Sequence, residues 1–219
     1  MKLKKIASLM LAGVMAVSML AGCSNGSNNN DSSNEPTVAT GIVAAMNAGQ
    51  SATNKVKVTF TSNSSVKDAL TKTLKSWGDF SEIAQPDHLS NAIQQMTGLT
   101  AQPSMEDITS VDVTNDGALV DSNVDGKVIT RVGAFVVKNV MSEEAAEKTA
   151  VSQIDALISR LTETTYKKGV TKTGDKYADY TYTGTIDLVS AQTAQGVTNY
   201  FVAYTITRTT SVKTVEKAA

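Results

Sequence analysis

The stretch YADYTYTGTIDLV, residues 177–189, is followed within ten residues by TNYFVAYTITRTTSV, residues 198–212. In the first, Tyr180, Tyr182, Ile186 and Leu188 fall on alternate positions; in the second, Tyr200, Val202, Tyr204 and Ile206 do the same. A period of two places each set on one side of a pleated backbone. Threonine, tyrosine and valine are the residues that suit such a surface. With Gly196 in the connector, the spacing predicts an antiparallel hairpin.

Upstream, residues 142–161 carry a helical period. Ser142 suits the N-cap, Glu143 and Glu144 suit the positive end of the dipole, and Val151, Ile154, Leu157, Ile158 and Leu161 form a stripe. Lys167, Lys168 and Gly169 read as its far end. Residues 128–140 form an apolar strand with Ile129, Val132, Phe135, Val136 and Val137. From Ile108 the period is again two, with Val111 and Val113 alternating. Asn115-Asp116-Gly117 and Asp125-Gly126 mark turns. Residues 65–77 and 87–97 read as helices. Val66, Leu70, Leu74 and Trp77 line the first, with Ser65 and Asp68 resembling a capping box; Leu89, Ile93 and Met96 line the second, ahead of Gly98. Residues 55–61 alternate through Val56, Val58 and Phe60 as a half-buried strand, while residues 37–54 fit a short strand or a helical turn equally. Together these elements predict one α+β domain over residues 37–219: a mostly antiparallel sheet with two to three helices packed on one face.

The first 23 residues, MKLKKIASLMLAGVMAVSMLAGC, differ in kind. Lys2, Lys4 and Lys5 precede a mainly apolar run from Ile6 to Leu20, and small residues precede Cys23. Leu20-Ala21-Gly22-Cys23 resembles the lipobox of bacterial lipoproteins, a resemblance confined to the leader. It implies cleavage after residue 22, a diacylglyceryl thioether on Cys23, and retention on the extracytoplasmic face of the cell membrane. Two acyl chains matter, because each buried methylene contributes roughly 0.8 kcal/mol and one chain holds only marginally. Residues 24–36, SNGSNNNDSSNEP, contain no apolar side chain and read as a flexible tether with a reach of about 20 Å.

Composition excludes several classes of function. Without the three leader lysines, 17 of the 20 basic residues remain against 21 acidic ones. No basic stripe for nucleic acid follows from that balance. With one cysteine and one histidine in the chain, an intramolecular disulfide and a Cys/His zinc site are both excluded.

The richest polar stretch is residues 106–126, with Glu106, Asp107, Asp112, Asp116, Asp121 and Asp125 and no basic residue. Asp121-Ser122-Asn123-Val124-Asp125-Gly126 has the D-x-N-x-D-G spacing in which alternate oxygens converge on calcium. Asp121, Asn123 and Asp125 are therefore the candidate metal ligands. Val132 stands where an EF-hand has its bidentate glutamate, so an EF-hand is excluded, and hairpin-turn formation competes as an explanation of the same residues. His88 reads as an exposed residue in a first helical turn. Glu143, Glu144 and Glu147 are explained by the helix dipole ahead of glycoside hydrolysis. Tyr177, Tyr180, Tyr182, Tyr200 and Tyr204 offer either a ligand-binding face or ordinary strand packing.

No catalytic set is complete. The leading expectation is a non-enzymatic, membrane-anchored domain that binds an envelope component, a protein or a small ligand. The first alternative is an extracytoplasmic enzyme or accessory using carboxylates with calcium, and the second is a transporter's solute-binding lipoprotein.

Overall fold

The computed structural model describes residues 37–38, 41–76, 86–101, 108, 118, 125–138, 140–193 and 196–217. All the described residues belong to one compact unit. The elements in chain order are β1 (Thr37–Val38), α1 (Ile42–Gly49), β2 (Thr59–Thr61), α2 (Ser64–Ser76), α3 (Pro86–Thr97), β3 (Thr100–Ala101), β4 (Val128–Val137), α4 (Glu143–Ile158), β5 (Lys176–Gln192) and β6 (Thr198–Thr214).

The hairpin of β5 and β6 is the spine. Its antiparallel register runs without a break from Lys176↔Thr214 to Gln192↔Thr198. On the far side of β6 lies β4, antiparallel from Val128↔Thr209 to Val137↔Tyr200, with β3 parallel beyond it. The outer edge of β5 takes β2 in parallel and β1 antiparallel. This is an α+β fold on a mostly antiparallel sheet, as the alternation predicts.

The helices occupy both faces, which differs from the expectation of one covered face. Over the first face, Ile42 and Met46 of α1 and Ala146, Ala150, Ile154 and Ile158 of α4 pack on Tyr182, Ile186, Leu188, Val202, Tyr204 and Ile206. Over the second face, Val66, Leu70 and Leu74 of α2 and Leu89 and Ile93 of α3 pack on Val132, Ala134, Val189, Phe201 and Ala203. Both strand parities therefore bury apolar side chains at one end of the sheet, because an amphipathic helix needs an apolar surface and each face supplies one.

Local chemistry sets the ends of these elements. At α2 the cap is Asn63, not the expected Ser65: its Oδ1 accepts from the backbone N–H of Ser65 (3.0 Å) and Val66 (3.2 Å). Ser142 caps α4 as expected, accepting from Ala145 N–H at 3.2 Å. That helix ends at Ile158, well short of Gly169. Ser159, Arg160 and Leu161 close it with a turn, and beyond them the β-branched Thr162, Thr164 and Thr165 favour extended backbone and run along the edge of β5. Thr165 N–H donates to Ala178 O (2.8 Å), and Tyr180 N–H donates to Glu163 O (2.8 Å).

Residues 55–61 alternate exposed and buried as expected, yet only 59–61 form ladder bonds with β5. The outer edge of this segment is served by side chains at the end of α1. Asn47 donates to Phe60 O (2.9 Å) and accepts from Phe60 N–H (2.8 Å). Gln50 does the same for Val58, at 2.7 and 2.9 Å. Two amides, on α1 and on the residue that follows it, thus stand in for a neighbouring strand at Val58 and Phe60 and blunt this edge.

Candidate functional site

Alternation along β5 and β6 separates two tyrosine populations. Tyr180, Tyr182, Tyr200 and Tyr204 point to the first face and are between 6% and 9% exposed. They belong to the core. Tyr182 donates its hydroxyl to Thr162 O at 2.9 Å, and the Arg208 guanidinium sits 4.8 Å from the Tyr180 ring centroid while donating to Ile108 O at 2.9 Å. Burial pushes the Tyr182 and Tyr204 phenols up to about 12, so both stay protonated at neutral pH. These groups hold the fold together and are poorly placed to exchange protons.

The fifth tyrosine behaves differently. Tyr177 lies on the second face, opposite Lys213 in the register. Its ring meets that of Tyr166 with centroids 5.1 Å apart and planes at 53°. Tyr166, 40% exposed, comes from the connector that the sequence places in a helix. The two rings line a groove of about 590 Å³ together with Lys213, Thr214, Val215 and Glu216. Lys213 also forms a 2.5 Å ion pair with Asp179. Although burial opposes it, the Lys213 ammonium and Thr164 hydroxyl hold the Asp179 carboxyl below its ordinary range.

From this groove the second face continues as rows of threonine. Thr181 stands opposite Thr209, Thr183 opposite Thr207, and Thr185 opposite Thr205. The rows extend to Thr59 and Thr61 of β2 and to Thr130 of β4. Thr59, Thr61, Thr181, Thr183 and Thr209 are exposed, because α2 and α3 cover only the other end of this face. Hydroxyl pairs Thr185–Thr205 (2.7 Å) and Thr130–Thr207 (2.9 Å) tie neighbouring strands. The arrangement is a polar, methyl-bearing platform bounded at one end by an aromatic groove.

Of the residues picked from the sequence, Cys23, Asp121 and Asn123 lie outside the described residues. Asp125 is described, and its Oδ1 accepts from Val212 N–H at 2.7 Å. Next to it, Gly126 has φ +70° and donates to Thr210 O at 3.0 Å. This tie to β6 is what a turn residue provides. Among the described residues no group of three metal-ligating side chains converges. His88 is exposed in the first turn of α3, as expected. Glu144 pairs with Lys148 at 2.7 Å, whereas the Glu147 carboxylate lies where a Cβ at Gly41, beside the start of α1, would fall. Burial and the neighbouring Glu143 and Glu144 raise the Glu147 pKa.

Asp187, unremarked in the sequence, is a buried carboxylate on β5. It accepts from Ser62 Oγ (2.5 Å) and Asn63 N–H (3.2 Å), which fixes the start of α2 to the sheet. Burial raises its pKa against these two bonds.

Among the described residues no helix is long and apolar enough to cross a membrane. No family model, curated protein or solved structure matches the chain.

Proposed function

We propose that this chain is a lipid-anchored extracytoplasmic binding domain, held to the membrane through Cys23 and presenting the open half of its second sheet face to a ligand. The observation that carries the reading is that face itself: exposed threonine rows running into a groove lined by Tyr166 and Tyr177. Scattered exposed apolar residues need no explanation, but a concave aromatic site beside an uncovered sheet surface is a form that ligand sites take. The lipobox-like leader and the polar tether support a position outside the cytoplasm, where such a surface meets envelope material.

Metabolic labelling with an alkyne-tagged fatty acid tests the anchor. The full chain incorporates the label, and Cys23→Ser does not and is released from membranes. Equal labelling of both forms refutes the anchor.

A further inference from the structure

Resting on the binding-domain reading, we infer that the ligand of the Tyr166–Tyr177 groove is an uncharged glycan chain, one sugar ring lying against the tyrosine pair and the following sugars over the threonine rows.

The charges around the groove select against other ligands. Lys213 and Glu216 both line it, so a quaternary ammonium or cationic peptide that would otherwise suit two tyrosine rings finds no site of single opposite charge. An anionic ligand finds that same ammonium already joined to Asp179 at 2.5 Å, with Glu216 in the lining as well. The threonine rows carry no charge. A neutral partner is the one this balance accommodates.

The chemistry of the lining then narrows the neutral partners to polyhydroxylated ones. A tyrosine ring presents a negative π-face to polarised C–H groups, which a sugar ring displays along one side. Each threonine hydroxyl donates one hydrogen bond and accepts others, matching alcohols that do both. An extended peptide would instead need a free backbone edge or apolar pockets for alternate side chains. At Thr183–Thr185 the outer edge of β5 is taken by β2, and along Tyr200–Thr209 the outer edge of β6 is taken by β4, so the backbone under the threonine rows is already paired there.

The face is also organised before any ligand arrives. Threonine has few χ1 rotamers, and the Thr185–Thr205 and Thr130–Thr207 bonds hold four hydroxyls in place. Binding then orders little that is not ordered already, which is how a shallow site gains affinity. The Tyr177–Lys213, Asp179–Ser211 and Thr181–Thr209 rows are successive on one face, so the groove opens directly onto the platform.

Affinity electrophoresis of the full lipidated chain in detergent tests this. Native gels are cast with neutral galactomannan, xyloglucan or hydroxyethylcellulose, or with anionic polygalacturonate. At least one neutral polymer retards the chain, and Tyr177→Ala and Tyr166→Ala each weaken that retardation about tenfold. Tyr177→Phe keeps it, because the ring and not the hydroxyl makes the contact. A thermal melt of each variant shows whether lost retardation reflects lost folding; Tyr166→Ala changes an exposed side chain and keeps the test decisive.

Retardation by polygalacturonate alone, or neutral retardation that survives both alanine variants, overturns the glycan assignment. If no neutral polymer retards the chain but it sediments with protease-sensitive envelope material in a manner lost in Thr183→Lys, the ligand is a protein. The binding face then stands without the glycan. Sedimentation indifferent to Thr183→Lys overturns both.

Discussion

Removing the Asn47 side chain tests whether two amides replace a strand at the edge of β2. Asn47 satisfies both backbone groups of Phe60, at 2.8 and 2.9 Å, and Phe60 is only 1% exposed. In Asn47→Ala both bonds vanish, and the donor and acceptor are left without them in a partly buried place. At roughly 1–2 kcal/mol for each stranded group, the loss is about 2–4 kcal/mol. For a unit of this size each kcal/mol lowers the Tm by roughly 2–4 °C, so the shift is on the order of 10 °C. Thermal unfolding followed by circular dichroism reads it directly. Asn47→Asp sharpens the test. At neutral pH it loses the donor and sets a carboxylate against Phe60 O, so it melts no higher than the alanine variant; on acidification the protonated acid donates again and part of the loss returns. An alanine variant within about 0.5 kcal/mol of the parent, or an aspartate variant unaffected at neutral pH, refutes the edge-capping role.

Two further expectations concern packing and pH. A Cβ at Gly133 would lie 2.5 Å from both Cζ and Oη of its cross-strand partner Tyr204, so Gly133→Ala destabilises by about 1–3 kcal/mol in urea unfolding. A neutral effect there would mean that the ring is free to move aside. Asp187 has a raised folded pKa, so the folded state holds its proton more tightly than the unfolded chain. Its contribution is fully present below the ordinary carboxylate range and is lost as pH rises through the raised value. Stability of the parent relative to Asp187→Asn therefore falls with increasing pH, and a relative gain would contradict the assignment.

Much of this fold is legible along the chain because a pleated strand alternates whatever its surroundings. Tyr180, Tyr182, Ile186 and Leu188 announce one face of β5 without any knowledge of what covers it. Coverage is where local reading stops. The apolar residues of the opposite parity, Val189, Phe201 and Ala203, are few and confined to one end, so the pattern says little of α2 and α3 lying over them. The same limit applies to the site. Strand tyrosines suit a core or a ligand equally, and helices α1 and α4 decide for the core in four of the five cases. Tyr166 escapes notice because an apolar stripe, followed by two lysines and a glycine, reads as a continuing helix. The run Thr162-Glu163-Thr164-Thr165-Tyr166, rich in β-branched residues, is the signal that the helix has already ended. Asn47, Gln50 and Asp187 are invisible for a different reason. Each is polar, unremarkable in its own segment, and acquires its role from a partner distant in sequence.

The proposed ligand site is the exposed threonine and tyrosine surface of the second sheet face. Its most direct test is sedimentation of the full-length chain, held in detergent, with isolated envelopes of the cells that produce it. Thr183→Lys and Thr209→Lys each place a charge on that surface at an exposed position, whereas Ser152→Lys places one on the exposed side of α4 over the opposite face. The two threonine variants lose retention at least tenfold while Ser152→Lys matches the parent. Equal retention of all four forms, or loss confined to Ser152→Lys, would contradict this placement of the ligand.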